Sequence, residues 1–147
     1  MEVPGPHIRV SQISAINNEG AVRFLIYEGS MNGDRFVAFL ALLIRCSTRK
    51  IFLIADRLKA HDNPTVRAWL EAHEDRIELF FLPPYAPEAN PDEHLNNDLK
   101  GNVHDAGLPD DKDELRSRVR RFMLRLAASP ERVMSYFQHP DVRYTTT

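Results

Sequence analysis

Asp56 and Glu93 are the residues of this chain whose type and setting could do chemistry. Asp56 ends the unbroken apolar run Ile51-Phe52-Leu53-Ile54-Ala55, and Glu93 ends the proline-rich stretch that starts at Phe81-Leu82-Pro83-Pro84-Tyr85. Paired carboxylates suit hard divalent cations, because Mg²⁺ takes a few carboxylate oxygens and completes its shell with water and phosphate. Two ions held this way activate a water or hydroxyl and stabilise a leaving oxygen in phosphoryl transfer. A plainer reading stands beside it: an Asp at a strand end often caps a helix or anchors a loop, and Asn90 with Glu93 fits a capping box.

Each acid needs an element to hold it. Pro83, Pro84, Pro87 and Pro91 stiffen the second stretch, since each ring fixes φ and biases the preceding residue away from helix. Pro84 and Tyr85 therefore position the loop. Asn90 suits the N-cap and Pro91 the first turn of a helix running to about Val103, with Leu95 and Leu99 inward. The Ile51 to Ala55 run has the pattern of a strand covered on both faces. Ile77 to Leu82 is a further strand. In open α/β sheets the carboxyl ends of strands form the functional edge, where Asp56 and Glu93 would meet.

The remaining segments complete an α/β domain. Met1 to His7 reads as an irregular start. Ile8 to Ala15 and Ala21 to Glu28 alternate about the turn cluster Asn17-Asn18-Glu19-Gly20, which predicts a β-hairpin. Phe36, Val37, Leu40, Leu43 and Ile44 predict an amphipathic helix over 34–47. Asn63 and Pro64 open another, ending near Glu74, with Val66, Trp69 and Leu70 buried. After a polar loop, Leu115, Val119, Phe122 and Leu126 mark a helix over 113–128, and Ser129-Pro130 starts a short one. Trp69 and the Phe80 to Leu82 run read as core. The tail from His139 reads as irregular or weakly extended.

Bulk properties exclude little. The chain has 147 residues, 43% hydrophobic and 27% charged, with a net charge of −2. That fits one ordinary globular domain, and no global basic excess points to nucleic acid. A local patch could still come from Arg116, Arg118, Arg120, Arg121 and Arg125, whose bland alternative is a solvated face with i,i+4 partners. The lone Cys46 suits a reducing cytoplasm. The longest apolar run, Phe36 to Ile44, is too short to span a bilayer.

A resemblance adds to this. Leu82-Pro83-Pro84-Tyr85-Ala86-Pro87-Glu88-Ala89-Asn90-Pro91-Asp92-Glu93, followed by Leu95, Asn97, Asp98, Leu99 and Lys100, resembles the signature of DDE transposases from the bacterial insertion-sequence branch of the mariner superfamily. Leu53 to Asp56 with His61 is similar to its second-aspartate segment, and Pro130-Glu131-Arg132-Val133 with Tyr136-Phe137 to its C-terminal end. The resemblance implies a ribonuclease H-like mixed sheet flanked by helices, and a triad of Asp, Asp and Glu using Mg²⁺ or Mn²⁺ to cut transposon ends and join them to target DNA. It makes Asp56 the second acid and Glu93 the third, both metal ligands. Arg57 stands where many members carry Asn or another small residue.

No residue matches the first acid. In the family it lies on the first, central strand, upstream of a segment resembling Pro4 to Val10, and a helix-turn-helix region precedes that. The expectation is a partial catalytic domain without that strand and without the helix-turn-helix domain, feeble or inactive alone. A non-catalytic remnant interacting with DNA or with a transposase is the alternative. An exposed sheet edge templates pairing, so the N-terminal segment would fill the vacant position or two chains would pair through it as a homodimer. Lys59, His61 and Lys100 are candidate DNA contacts.

Overall fold

The structure, a computed structural model, describes residues 2–5, 8–56, 61–83, 90–105 and 107–138. The chain divides into two compact units, one made of Met1–Gly29 with Pro91–Thr147 and the other of Ser30–Asn90.

In the first unit, β1 (Glu2–Gly5), β2 (Ile8–Ile16) and β3 (Val22–Tyr27) form an antiparallel sheet in the order β1-β2-β3. The β2–β3 hairpin is the predicted one. Its turn needs Gly20, whose φ of +94° is in the left-handed region and whose added Cβ would lie 2.6 Å from the Pro130 side chain. The expected irregular start is corrected: Glu2–Gly5 is a strand, in register from Glu2 opposite Ser11 to Gly5 opposite Ile8. It takes the β2 edge opposite β3, where its backbone groups complete a ladder that the edge would otherwise leave unpaired.

The helices α3 (Pro91–Asp105), α4 (Lys112–Ala127) and α5 (Pro130–Tyr136) complete this unit. Leu95, Leu99 and Val103 of α3 and Leu115, Val119, Phe122 and Leu126 of α4 are buried with Val10 of β2 and Val22 of β3. These repeat at the spacing of one helix face. α4 is closed by a reciprocal cap. Asp111 accepts from the Glu114 N–H at 2.8 Å, and Glu114 accepts from the Asp110 N–H at 2.6 Å.

In the second unit, β4 (Ile51–Ala55) and β5 (Ile77–Phe81) run parallel, with Ile51 opposite Ile77 and Ala55 opposite Phe81. α1 (Gly33–Arg45) and α2 (Pro64–Ala72) start at Asn32 and Asn63, whose side chains accept from the N–H groups of Arg35 and Val66. Phe36, Phe39, Leu40, Leu43, Val66 and Ile77 are buried. Arg76 closes the other end of α1 by donating to the carbonyls of Ile44 and Ser47 at 3.0 and 2.9 Å.

Two burial expectations are corrected here. The Ile51 to Ala55 strand is covered on one face only, since Phe52 is 63% and Ile54 44% exposed. Phe80, expected in the core, is 49% exposed on β5, whereas Leu82 is buried. Trp69 is half-buried and stacks on His73 with ring centroids 4.0 Å apart.

The Glu114 cap gives a pH-dependent contribution. The Asp110 N–H, then the Arg118 guanidinium, hold its carboxyl below the usual 4.5. A lowered carboxyl pKa contributes stability above the unfolded value that is lost as pH falls through the folded value. Glu114→Gln should therefore destabilise the chain at pH 7, and urea unfolding at pH 3 should find the two proteins closer in stability.

Candidate active site

Asp56 directly follows β4, at the carboxyl end of the parallel pair. The ladder continues one step past the strands, with the Leu82 N–H donating to the Ala55 carbonyl at 2.9 Å. That holds the backbone leading into Asp56. His61 is brought to the same place: its Nδ1 lies 2.9 Å from the Asp56 carbonyl oxygen, and its ring stacks on Phe36 at 4.2 Å. A carbonyl only accepts, so Nδ1 carries the hydrogen and Nε2 of the neutral ring keeps its lone pair. Burial, opposed by the Asp56 contacts, lowers the His61 pKa below its ordinary 6.5, so the neutral form holds at pH 7. Lys59 and Arg57 lie outside the described residues.

Glu93 is placed by α3. Pro91 is the first residue of the helix, as predicted, and Asp92 and Glu93 lie in its first turn, where negative charge complements the helix dipole. What turns Glu93 in one direction is a pair of polar bonds that sequence reasoning missed. Ser14 of β2 donates its hydroxyl to Asp92, and the Gln12 amide donates to Asn96 at 3.1 Å. With Asp92 and Asn96 held against β2, Glu93 points about 100° around the helix from Asp92 and about 60° from Asn96. Lys100 lies two turns on and shares the Glu93 face. The signal was available: Gln12 and Ser14 sit on the same side of β2 as Ile8 and Val10, which is an unusual place for polar residues unless they have partners. Pro84 and Tyr85 lie outside the described residues.

A second set of bonds holds α3 from its other side. Asp98 accepts from Arg132 Nε at 2.9 Å and Nη2 at 2.8 Å, and also from the Tyr136 hydroxyl. This bidentate pair with a third donor joins α5 to α3. Burial and then the Asp98 carboxylate push the Tyr136 pKa well up, so the phenol keeps its donor hydrogen. Asp98, Arg132 and Tyr136 all belong to segments that carried the family resemblance, and in this chain they are in contact.

Asp56 and Glu93 belong to different units, and each is fixed by its own. Neither carboxylate accepts a hydrogen bond from another described residue. Among the described residues, no three of His, Cys, Asp and Glu are grouped so as to enclose an ion. No helix among them is long and apolar enough to cross a membrane.

Comparison with known proteins gives a family. The model of the DDE superfamily endonucleases matches residues 1–116. In fold, the chain is similar to the catalytic domain of the Mos1 mariner transposase, with 12% identity and a TM-score of 0.68 over 99% of this chain and 78% of that one. It is similar to the Mos1 transposase catalytic domain with raltegravir and Mn, with 12% identity and a TM-score of 0.70 over 100% and 80%. A chain of the simian T-cell lymphotropic virus intasome, solved in complex with the PP2A regulatory subunit B56 gamma, matches with 14% identity and a TM-score of 0.62 over 81% and 44%. At such identities the likeness is one of fold, and it is the ribonuclease H-like α/β fold expected from the sequence. A search of curated proteins found no match.

The Asp98 clamp is testable by removing one donor. Tyr136→Phe keeps the ring and the Arg132 fork but removes a hydrogen bond to a charged acceptor, which should cost about 1.5–3 kcal/mol in urea unfolding. A value within error of zero would mean the hydroxyl contributes nothing to holding α5 on α3.

Proposed function

The chain belongs to the DDE superfamily endonucleases, and on that premise we propose that it is part of a mariner-like insertion-sequence transposase catalytic domain that cuts and joins DNA at transposon ends. The observation that carries this reading is the match over residues 1–116, a span that contains both Asp56 and Glu93. Asp56 serves as the second acid and Glu93 as the third.

The donor chemistry fits a hard divalent ion, Mg²⁺ or Mn²⁺, because both groups are carboxylates. The Mn in one Mos1 catalytic-domain structure supports the same choice. When bound, such ions activate the attacking water or hydroxyl and stabilise the leaving oxygen. The residues of this chain do the positioning. β4 and its continued ladder hold Asp56, α3 holds Glu93, and His61 braces the Asp56 backbone while presenting Nε2 as an acceptor. Lys100, on the Glu93 face, contacts a DNA phosphate, which sets register without reading bases. No residue of the sequence matches the first acid, so these 147 residues alone hold metal weakly and cut DNA feebly. Pairing of two chains as a homodimer would use the edge strands β1 or β3 of the antiparallel sheet.

Mn²⁺ titration by calorimetry, beside Asp56→Ala and Glu93→Gln, tests the metal reading. Weak binding that either substitution abolishes is the expected result. Identical isotherms for the three proteins would overturn it and favour a remnant that binds DNA or a transposase without catalysis.

A further inference from the structure

The helix α4 carries more positive charge than the ion pairs among the described residues use. Of Arg116, Arg118, Arg120, Arg121 and Arg125, only Arg118 is ion-paired among the described residues, with Glu114 at 2.6 Å. Arg118 is further tied to the Gly107 carbonyl, so it braces the segment that follows α3. The expected i,i+4 partners are absent from the others. Arg116 with Arg120, and Arg121 with Arg125, are instead like charges at i,i+4, a spacing that weakens a helix. With a net charge of −2 for the whole chain, this concentration is local and calls for an anion.

The geometry beside it is a groove. Asn102 and Val103 of α3 face Arg118, Arg121, Leu124 and Arg125 of α4 across a cavity of about 400 Å³. Arg125 Nη2 approaches the Asn102 side-chain oxygen at 3.4 Å, and the Arg121 Nε approaches the Ser117 carbonyl at 3.4 Å. Both contacts are long, so the guanidinium groups keep most of their donors for a ligand. Val103 and Leu124 make the wall apolar, and Leu124 is 49% exposed.

We propose that the α3–α4 groove, with Arg121 and Arg125 at its rim, holds the sugar-phosphate backbone of DNA away from the acid-bearing turn of α3. This rests on the DNA-processing reading above. Three features favour a nucleic-acid strand over an acidic polypeptide. Arg121 and Arg125 are about 6 Å apart along the helix axis, close to the step between successive phosphates of one strand. The exposed cations of α4 beyond its first turn are all arginines, whose planar forks match phosphate oxygens in pairs. The apolar wall lies between charges, where deoxyribose would pack. Arg116 and Arg120, on the other side of Leu124, extend the positive field along the helix.

Fluorescence anisotropy with a labelled duplex, in EDTA so that metal plays no part, tests the proposal. The parent, Arg121→Gln/Arg125→Gln, Leu124→Glu and Asp56→Asn/Glu93→Gln are compared across a salt series. The expected result is binding by the parent whose log K against log[salt] slope falls by about 1.8 in the double arginine variant, a roughly tenfold or larger loss in Leu124→Glu, and retained binding in the acid variant. Unchanged circular dichroism and an equal or higher melting temperature for the arginine variant, as like charges are removed, separate lost binding from lost fold. Parent and both groove variants binding equally would overturn the groove and leave the DNA-processing reading standing. A parent that does not bind DNA at all would overturn both. Polyglutamate bound as tightly as DNA, with the same loss in the variants, would overturn the nucleic-acid assignment in favour of an acidic polypeptide.

Discussion

The rotation of α3 about its own axis is the constraint on which the first unit depends. An apolar stripe of Leu95, Leu99 and Val103 lets a helix lie on a sheet, yet hydrophobic contact is non-directional and tolerates some roll. The hydrogen bonds of Ser14 to Asp92 and of Gln12 to Asn96 remove that freedom at the end where Glu93 sits. Gln12 is fully buried, so a roll that broke its bond to Asn96 would leave polar groups unsatisfied, at about 1–3 kcal/mol each. Polar pairs are thus used where direction matters, and apolar ones where only contact does.

The same division of labour recurs around the helix. Asp98 lies between the Arg132 fork and the Tyr136 hydroxyl, while Leu99 beside it goes to the core. The Arg132–Asp98 pair is too exposed for its charge alone to contribute much. Its planar geometry, with a third bond from a phenol kept protonated, is what locates α5. Gly20 then admits the Pro130 end of α5 against the β2–β3 turn, so the hairpin, α5 and α3 constrain one another. A side chain at Gly20 would meet both a left-handed φ and the proline.

Much of this was legible in the sequence, and the legible parts are those with a local cause. Asn63 and Pro91 begin their helices because capping and proline chemistry act within a few residues. The α4 stripe was visible because period-3.6 burial leaves a strong pattern. The strand Glu2–Gly5 was not, since Pro4 and Gly5 argue against a strand and only the open edge of β2 makes it one. The Ser14–Asp92 and Gln12–Asn96 bonds escaped as well. Their partners are 78 and 84 residues apart in the chain, and no local rule pairs them. For Asp56 and Glu93 the residue types suggested a carboxylate site, but the roles came from family resemblance, which composition and spacing could not replace.

The open face of β4 and β5 shows where an apolar pattern stops being informative. An unbroken run such as Ile51 to Ala55 says that neither face tolerates charge well, which is the usual mark of a strand between two layers. It does not say that both layers are supplied. Here Ile77 and Ala55 are covered, while Phe52, Ile54 and Phe80 face outward. Two local contacts reduce the cost. The Phe52 and Phe80 rings stack at 6.5 Å, and Lys50 reaches over Phe52 at 5.5 Å while paired to Glu78 at 2.8 Å. Stacking hides ring faces from water, and the lysine stem covers apolar surface while its charge stays hydrated. Neither replaces a second layer. The alternation within β5, with Glu78 and Phe80 on one side and Ile77 and Leu79 on the other, carries the same information: one charged residue in the outward row is what distinguishes a face that water can reach from one that it cannot.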